Sequence, residues 1–373
     1  MKFTVERSLL LDAVSRLQKI VGSKTSPQPI LDGILISAEP GMLSLCAYNN
    51  ESGMKKEIYC SCERAGDIVI NARILSDILR KMNGLQLEIE AEDNLLCHIR
   101  CSGAEFDIMG MKAIDFPELP SIADGTKISL PGDILCDMIK GTIFAAAQLE
   151  GTRPILTGIN FKIYDGILQL VAVDGFRLAV RRQKINLQGD HEFTVSNRAL
   201  SEVIKLIDEQ TEDVDIVIGK RLISFNVNGY VFISSLLEGE YVNFEKLIPE
   251  QYKQRAFMNS SDFINTIERV SLLISDSFTT PIRCIFNEDK VSMATKTAIG
   301  HAKEKFPLVL EGEEFEIGLN SKITLEALKA CDQGNIQLRF NGVNSGIVIV
   351  SADENNKDFL YLIMPMRLKE WSN

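Results

Sequence analysis

Asn71-Ala72-Arg73-Ile74-Leu75-Ser76-Asp77-Ile78-Leu79, Ser196-Asn197-Arg198-Ala199-Leu200-Ser201-Glu202-Val203-Ile204 and Asn320-Ser321-Lys322-Ile323-Thr324-Leu325-Glu326-Ala327-Leu328 are one segment written three times, at a spacing of about 125 residues. Each copy opens on Asn or Ser, whose side-chain oxygen can accept from the unpaired N–H groups of a first helical turn. A cation follows, and apolar residues then recur three and four positions apart, which predicts an amphipathic helix. Self-similarity at a fixed period makes repetition of a whole supersecondary unit the governing feature of the fold.

Working outward, the same order of events surrounds each helix. Upstream, a short strand leads into a first amphipathic helix: Lys2–Val5 into Ser8–Val21, Lys127–Leu130 into Asp133–Ala146, and Ala256–Asn259 into Ser261–Ser275. A strand pair opened by proline is expected next, at Pro29–Ile34, Pro154–Ile159 and, more loosely, Pro281–Ile285. Alternating strands follow at Met42–Ala47, Ile167–Ala172 and Val291–Ala294. Downstream, Gln86–Ala91 with Leu95–Ser102, Asp215–Ile218 with Leu222–Asn226, and Gln337–Phe340 with Ile347–Ser351 close each unit.

This order predicts an α+β fold of three repeated domains, 1–125, 126–252 and 253–373, with the helices grouped on one side of antiparallel sheets. The chain's 373 residues exceed the ~250–300 at which one core stops growing. Small sheets leave their edges unpaired; joining edges from domain to domain would extend the sheet, and circular closure would abolish the edges.

Composition narrows the function. With 45% apolar and 24% charged residues the chain reads as soluble and folded. No run approaches the ~20 apolar residues of a membrane span, and the start lacks a signal-peptide layout, so a cytoplasmic protein with no membrane partner is expected. Cys46, Cys60, Cys62, Cys97, Cys101, Cys136, Cys284 and Cys331 form no C-x-x-C pair, and His98, His191 and His301 are far apart. Reduced thiols, no metal and no cofactor are the expectation. Asp174, His301 and Glu304 have acid–base chemistry, but nothing supplies a nucleophile with its orienting partner, and no phosphate-binding glycine loop is present. The chain reads as a non-enzyme.

A net charge of −11 argues against nucleic acid unless the cations are concentrated on one surface. The repeated helices concentrate them. Arg73, Arg198 and Lys322 share one slot, and Arg16, Lys140 and Arg269 share another in the first helices. Any one of these is an ordinary surface residue; recurrence through three diverged copies points to sequence-independent phosphate contact, since no base-reading motif accompanies it. The alternative, a repeat-built interaction scaffold that does not encircle DNA, explains the acidity but not the recurring cations.

Val173-Asp174-Gly175-Phe176-Arg177-Leu178-Ala179, Gly239-Glu240-Tyr241 with Leu247-Ile248-Pro249, Asp115-Phe116-Pro117 and Met364-Pro365-Met366-Arg367-Leu368, set in the triplicated unit, resemble the bacterial DNA polymerase III beta subunit family of sliding clamps over essentially the whole chain. Taken singly, Asp174-Gly175 is a tight turn and Met364-Pro365-Met366 a proline-broken edge strand. The resemblance implies a processivity factor: a head-to-tail homodimeric ring, helices inside and sheets outside, that encircles duplex DNA. Its implied partners are the DNA polymerase III catalytic subunit, the clamp loader, and other polymerases and repair proteins carrying clamp-binding peptides.

Residue by residue, the resemblance implies one pocket subsite of Leu156, Val173, Gly175, Phe176, Arg177, Leu178, Val242, Leu247, Leu362 and Met364. An adjoining subsite would use Phe278, Asn320, Ile323, Asn344, Pro365, Met366 and Arg367, with Arg177 and Arg367 bonding client backbone or acidic flanks. Phe106 and Ile108 would face Leu272 and Leu273 across the dimer seam. DNA contacts would come from Lys24, Gln148 and Arg153 together with Arg73, Arg198 and Lys322. Phe176 stands where many relatives have histidine, Val173 where threonine is common and Val242 where proline is common, so a more apolar pocket is expected. The chain also runs past Leu368 with Lys369-Glu370-Trp371-Ser372-Asn373.

Overall fold

Two of the three repeated cap positions have side-chain bonds that can be followed directly in the computed structural model, which describes residues 1–21, 28–148, 153–186, 189–332 and 334–368. Asn71 Oδ1 accepts from the Ile74 N–H at 3.1 Å, and Asn320 Oδ1 from the Ile323 N–H at 3.1 Å. A third asparagine, Asn259, caps a first helix in the same way, accepting from the Asp262 N–H at 3.2 Å. Each removes one orphan donor from a helix start.

The first repeat runs β1 (Lys2–Glu6), α1 (Arg7–Leu17), β2 (Gly33–Glu39), β3 (Met42–Tyr48), β4 (Ser52–Tyr59), β5 (Ser61–Arg64), β6 (Gly66–Asn71), α2 (Ala72–Lys81), β7 (Gln86–Ala91), β8 (Leu96–Cys101) and β9 (Ala104–Met109). The second runs β10 (Thr126–Pro131), α3 (Gly132–Ile143), β11 (Gly158–Tyr164), β12 (Ile167–Val173), β13 (Arg177–Lys184), β14 (His191–Ser196), α4 (Asn197–Leu206), β15 (Asp213–Ile218), β16 (Leu222–Val227) and β17 (Tyr230–Ser235). The third runs β18 (Gln254–Asn259), α5 (Ser260–Val270), β19 (Ile282–Asn287), β20 (Lys290–Thr297), β21 (Gly300–Pro307), β22 (Val309–Glu311), β23 (Phe315–Leu319), α6 (Ser321–Lys329), β24 (Asn335–Phe340), β25 (Ile347–Ser351) and β26 (Phe359–Ile363).

Two compact units result: residues 1–133 with 198–236, and residues 134–197 with 237–373. The first unit holds a five-stranded sheet, β5-β1-β7-β8-β9, and an eight-stranded sheet, β10-β15-β16-β17-β4-β3-β2-β6. The second holds a nine-stranded sheet, β14-β11-β12-β13-β26-β25-β24-β18-β22, and a four-stranded sheet, β21-β20-β19-β23. The expected edge joining is present inside each unit. β17 of the middle repeat pairs antiparallel with β4 of the first, and β26 of the third with β13 of the middle.

Helices back onto these sheets through one face. In the first unit Leu10, Ala13, Val14 and Leu17 of α1 and Leu75, Ile78 and Leu79 of α2 are buried, and the two helices pack together. In the second, Phe263, Ile267 and Val270 of α5 meet Ile323, Ala327 and Leu328 of α6. Full burial of side chains this size contributes roughly 1.5–3 kcal/mol each.

Three expectations are corrected. First helices end early, at Leu17, Ile143 and Val270 in place of Val21, Ala146 and Ser275. The apolar period continues, but through turns: Ile20 stays 2% exposed while its N–H bonds back only three residues, to Leu17, and Ser271–Leu273 tightens into a 3-10 turn. The prolines at 29 and 154 open 3-10 turns ahead of the strands, using their fixed φ where no N–H is needed. Pro281 is not their counterpart. Gly33 lies opposite the cap Asn71 and Gly158 opposite Ser196, whereas Ile282 lies opposite Leu319, which sets Pro281 beside the cap Asn320.

Replacing Asn71 with alanine is expected to cost about 1 kcal/mol at the start of α2. Hydrogen exchange should accelerate over Ala72–Lys81 and not over β7 and β8; unchanged protection would remove the cap from the account.

Candidate functional site

The Asp174-Gly175 turn between β12 and β13 is built for one shape. Asp174 Oδ1 accepts from the N–H groups of Phe176 at 2.9 Å and Arg177 at 3.0 Å, and its Oδ2 accepts from Arg177 Nε at 2.9 Å. Gly175 has φ of +89°, where a side chain is strained even though the space around it is open. Phe176 is thereby pushed out, 58% exposed, while its carbonyl accepts from the Met364 N–H at 2.8 Å.

Beneath the turn lies one apolar cluster of Val171, Val173, Leu178, Val180, Phe244, Val348, Val350 and Leu362, edged by Leu156, Tyr241, Val242, Ile248, Tyr252 and Leu360. Five of the expected pocket residues, Leu156, Val173, Leu178, Val242 and Leu362, belong to it. Val173, Leu178 and Leu362 are buried and form a floor; Phe176, Leu247 and Met364 are exposed at 58%, 47% and 38% and form an apolar rim. Tyr241, whose hydroxyl donates to the Val171 carbonyl at 3.3 Å, was not among the expected residues; burial pushes its phenol well up. The Gly239-Glu240-Tyr241 motif carried that signal.

The adjoining residues divide by role. After β26, Met366 bridges to Gly318, its N–H donating to the Gly318 carbonyl at 2.9 Å. A Cβ on Gly318 would lie 2.5 Å from the Met366 carbonyl oxygen, so the terminal segment lies flush against β23 only because residue 318 is glycine. Phe278, Asn344 and Arg367 are exposed, and Pro365 and Met366 half-buried. Asn320 and Ile323 are buried at 4% and 5%, and Asn320 is occupied in capping α6. Arg177 also departs from expectation. Its guanidinium bonds Asp174 and Glu326 and is 14% exposed, which leaves Arg367 as the exposed cation of the set.

The cations separate into two groups. Arg73, Arg198 and Lys322 are exposed and each is the second residue of its helix, where the positive end of the helix dipole disfavours a cation. Arg16, Lys140 and Arg269 stand in last turns, where the dipole favours them. Two of these are engaged internally, Arg16 with Asp12 at 3.0 Å and Arg269 with Glu304 at 3.2 Å. Arg73 also pairs with Asp77 one turn on at 3.9 Å, so ordinary helix electrostatics accounts for the first-helix set and, in the second, offsets the dipole at Arg73 alone among the pairs described. The expected Arg153 donates to the Glu240 carbonyl at 3.2 Å, Gln148 is exposed, and Lys24 and the tail 369–373 lie outside the described residues. In the first unit a depression of about 360 Å³ adds Lys19, Arg80 and Lys205 beside Arg16, with Asp12 and Glu202. Arg80 and Lys205 share one slot with Lys329, next after the three aligned segments, whereas Lys19 has Ile143 and Leu272 as its counterparts.

Phe106 on β9 is 39% exposed and Leu272, in the turn after α5, 80%, with Ile108 and Leu273 half-buried. None of the four is fully buried. β9 and β21 are terminal strands of their sheets. On β9, Asp107 Oδ1 lies 2.6 Å from His98 Nδ1 and Glu105 accepts from Arg100 Nε at 2.6 Å. His98, Glu105 and Asp107 bring candidate ligand atoms within 4.8 Å of one another, and His98 and Arg100 already engage both carboxylates. The buried thiols offer no nucleophile: burial pushes Cys46 up to about 11 and Cys97 up to about 12. Asp174 and Glu304 are bound in the turn and in the Arg269 pair.

A chain of three edge-joined α+β units, with an apolar site rimmed by a terminal strand segment, is in class a repeat-built binding protein. Models of the DNA polymerase III beta subunit match its N-terminal domain at residues 1–120, its central domain at 129–243 and its C-terminal domain at 245–367. The chain is 32% identical over 381 residues to the Beta sliding clamp of Bacillus subtilis, covering 98% of this chain and all of that one. It is also 32% identical to the Beta sliding clamp of Halalkalibacterium halodurans, again covering 98% of this chain and all of the relative. Among solved structures, the DNA polymerase sliding clamp of Bacillus subtilis superposes with a TM-score of 0.94 at 31% identity over 99% of this chain and all of that one. A putative DNA polymerase III beta subunit from Eubacterium rectale does so with 0.92 at 27%, with the same coverage. The chain belongs to the DNA polymerase III beta subunit family.

Hydrogen bonding to Asp107 and then to Glu92 raises the His98 imidazole above its ordinary value of 6.5. The pairing therefore stabilises the first unit in full below that value and fades as pH rises through the raised one. An NMR titration should give a midpoint above 6.5, and Asp107→Asn should lower it; an unmoved midpoint would exclude Asp107 as the cause.

Proposed function

We propose that this chain is a sliding clamp, the non-catalytic processivity factor of a replicative DNA polymerase. Two copies close head to tail into a ring around duplex DNA. Each chain contributes three clamp domains, 1–125, 126–252 and 253–373, and the helices face the duplex. The observation that carries the reading is the repeated joint. The closing strand of the middle repeat pairs with β4 of the first, and the closing strand of the third with β13 of the middle. The closing strand of the first repeat, β9, and the corresponding strand of the third, β21, are the unused halves of the same joint, and both end their sheets. A heterologous contact of this kind makes a ring where the rotation closes.

The cations at position two of α2, α4 and α6 support a phosphate-facing role, because a backbone phosphate would relieve an arrangement that each helix alone disfavours. Such contacts carry no base sequence, as a sliding protein requires. The apolar floor with its Phe176, Leu247 and Met364 rim supports docking of short client peptides, and methionine suits a site that serves several partners. Clients of this kind would include the polymerase catalytic subunit, the clamp loader and repair proteins, acting in the cytoplasm. No helix among the described residues is long and apolar enough to cross a membrane.

Protein loaded on nicked circular DNA should be retained and should leave when the circle is cut open. Neutralising Arg73, Arg198 and Lys322 together should shorten retention on the circle while changing stability by no more than about 0.5 kcal/mol per site. Equal retention on closed and linear DNA would refute encirclement, and unchanged retention of the triple variant would refute the cation assignment.

A further inference from the structure

The cation near the start of each second helix is followed four residues on by an acid: Arg73 by Asp77, Arg198 by Glu202 and Lys322 by Glu326. Four residues apart on a helix, two side chains lie on one face within reach of each other. The acid therefore decides whether its cation is available to a phosphate. On α2 Asp77 stays with Arg73 at 3.9 Å, and on α4 Glu202 turns to Lys205 at 2.6 Å. On α6 neither happens. Glu326 reaches off its own helix to the guanidinium of Arg177, the residue that ends the Asp174-Gly175 turn of the candidate client site.

Arg177 is placed to join two sites. Its Nε donates to Asp174 at 2.9 Å, its far end donates to Glu326, and the guanidinium lies 5.6 Å from the centre of the Phe144 ring. Phe144 stands edge-on to Tyr361, whose hydroxyl donates at 2.7 Å to the carbonyl of Ala330 at the end of α6. The client-site turn and α6 thus meet on one side chain. Lys329, the other cation of α6 near Glu326, is committed to Glu268 at 2.6 Å. Lys322 is left exposed with no ion pair among the described residues, and Glu326 is the acid its own helix offers it. A lysine that precedes its glutamate by four residues makes the weaker order of such a pair, so the largely buried Arg177 holds Glu326 while nothing competes for it.

Resting on the phosphate-facing and client-docking readings above, we propose that Glu326 is a shared counter-ion that sets those two sites against each other. A client carboxylate that draws the Arg177 guanidinium to itself releases Glu326. The freed acid turns back one helical turn to Lys322 and neutralises a phosphate-facing cation. Client engagement thereby lowers the drag of that contact on sliding, and by linkage a phosphate on Lys322 weakens the client's acid by the same factor. Asp77 and Glu202 bond within their own helices, so among the pairs described the coupling belongs to α6.

The test is the affinity of the full chain for a short linear duplex, read by fluorescence anisotropy at one sodium chloride concentration. Arg177→Gln should weaken binding by about fourfold, roughly twofold from each chain of the dimer, because an exposed pair of this kind is weak. Glu326→Gln should restore the loss in the Arg177→Gln background and raise wild-type affinity by less than it does there. Charges acting only through the overall field would give additive effects; additivity overturns the shared counter-ion while the DNA reading stands. A wild-type chain with no affinity for the duplex overturns both. Glu326→Gln supplies a second readout with Arg177 in place. Acetyl-Asp-Leu-Phe-amide, an acid beside two apolar side chains for the floor, should bind this variant about twofold more tightly than wild type, and acetyl-Asn-Leu-Phe-amide should bind both equally. The aspartyl peptide should weaken duplex binding by the wild-type chain and not by the variant; equal effects on both, or none, overturn the proposal. Peptides that bind neither protein overturn the client-docking reading on which it rests.

Discussion

An antiparallel strand left at the end of a sheet exposes a row of backbone N–H and C=O groups, and the architecture of this chain follows from how it covers them. Each repeat alone would carry four such edges, two on each of its small sheets. Pairing β17 with β4 and β26 with β13 turns four edges into continuous sheet of eight and nine strands. Of the strands that still end sheets, β9 and β21 are the counterparts of those already joined, and a second copy is what can cover them without changing the joint. The sheet edge thus sets how the repeats join inside each unit.

The proposed client site rests on the same joint. The apolar floor is divided between β12 and β13 of the middle repeat and β25 and β26 of the third, with Leu178 opposite Leu362 in the pairing. Val348 and Val350 stand on the next strand of that sheet. The Asp174-Gly175 turn and the Met364–Arg367 segment emerge at one end of the paired strands, tied to each other by the Phe176 carbonyl. The proposed client site is therefore a by-product of joining two repeats edge to edge, and its position is as fixed as the ladder beneath it.

Much of this was legible in the sequence because it rests on local rules written three times. The caps at Asn71 and Asn320, the strand order and the shared slot of Arg73, Arg198 and Lys322 are properties of short segments, and repetition separated them from accident. What was not legible depends on partners distant in the chain. Nothing near Arg177 announces that Glu326 takes its charge, and nothing near Asn320 distinguishes a helix cap from a ligand contact. Lys19, Arg80 and Lys205 meet only through packing of α1, α2 and α4, although Arg80 and Lys205 share a slot with Lys329. The early ends of α1 and α5 were hidden because Ile20 and Leu273 keep the apolar period through turns that are no longer α-helical.

The central claim is that identical chains close through the leftover β9 and β21 edges into a particle with a passage for duplex DNA. Solution mass together with a low-resolution image of the full chain tests it most directly. The account expects a mass of two chains and a closed outline around a hole wider than a double helix; a single-chain mass, or a dimer with no such hole, would contradict it.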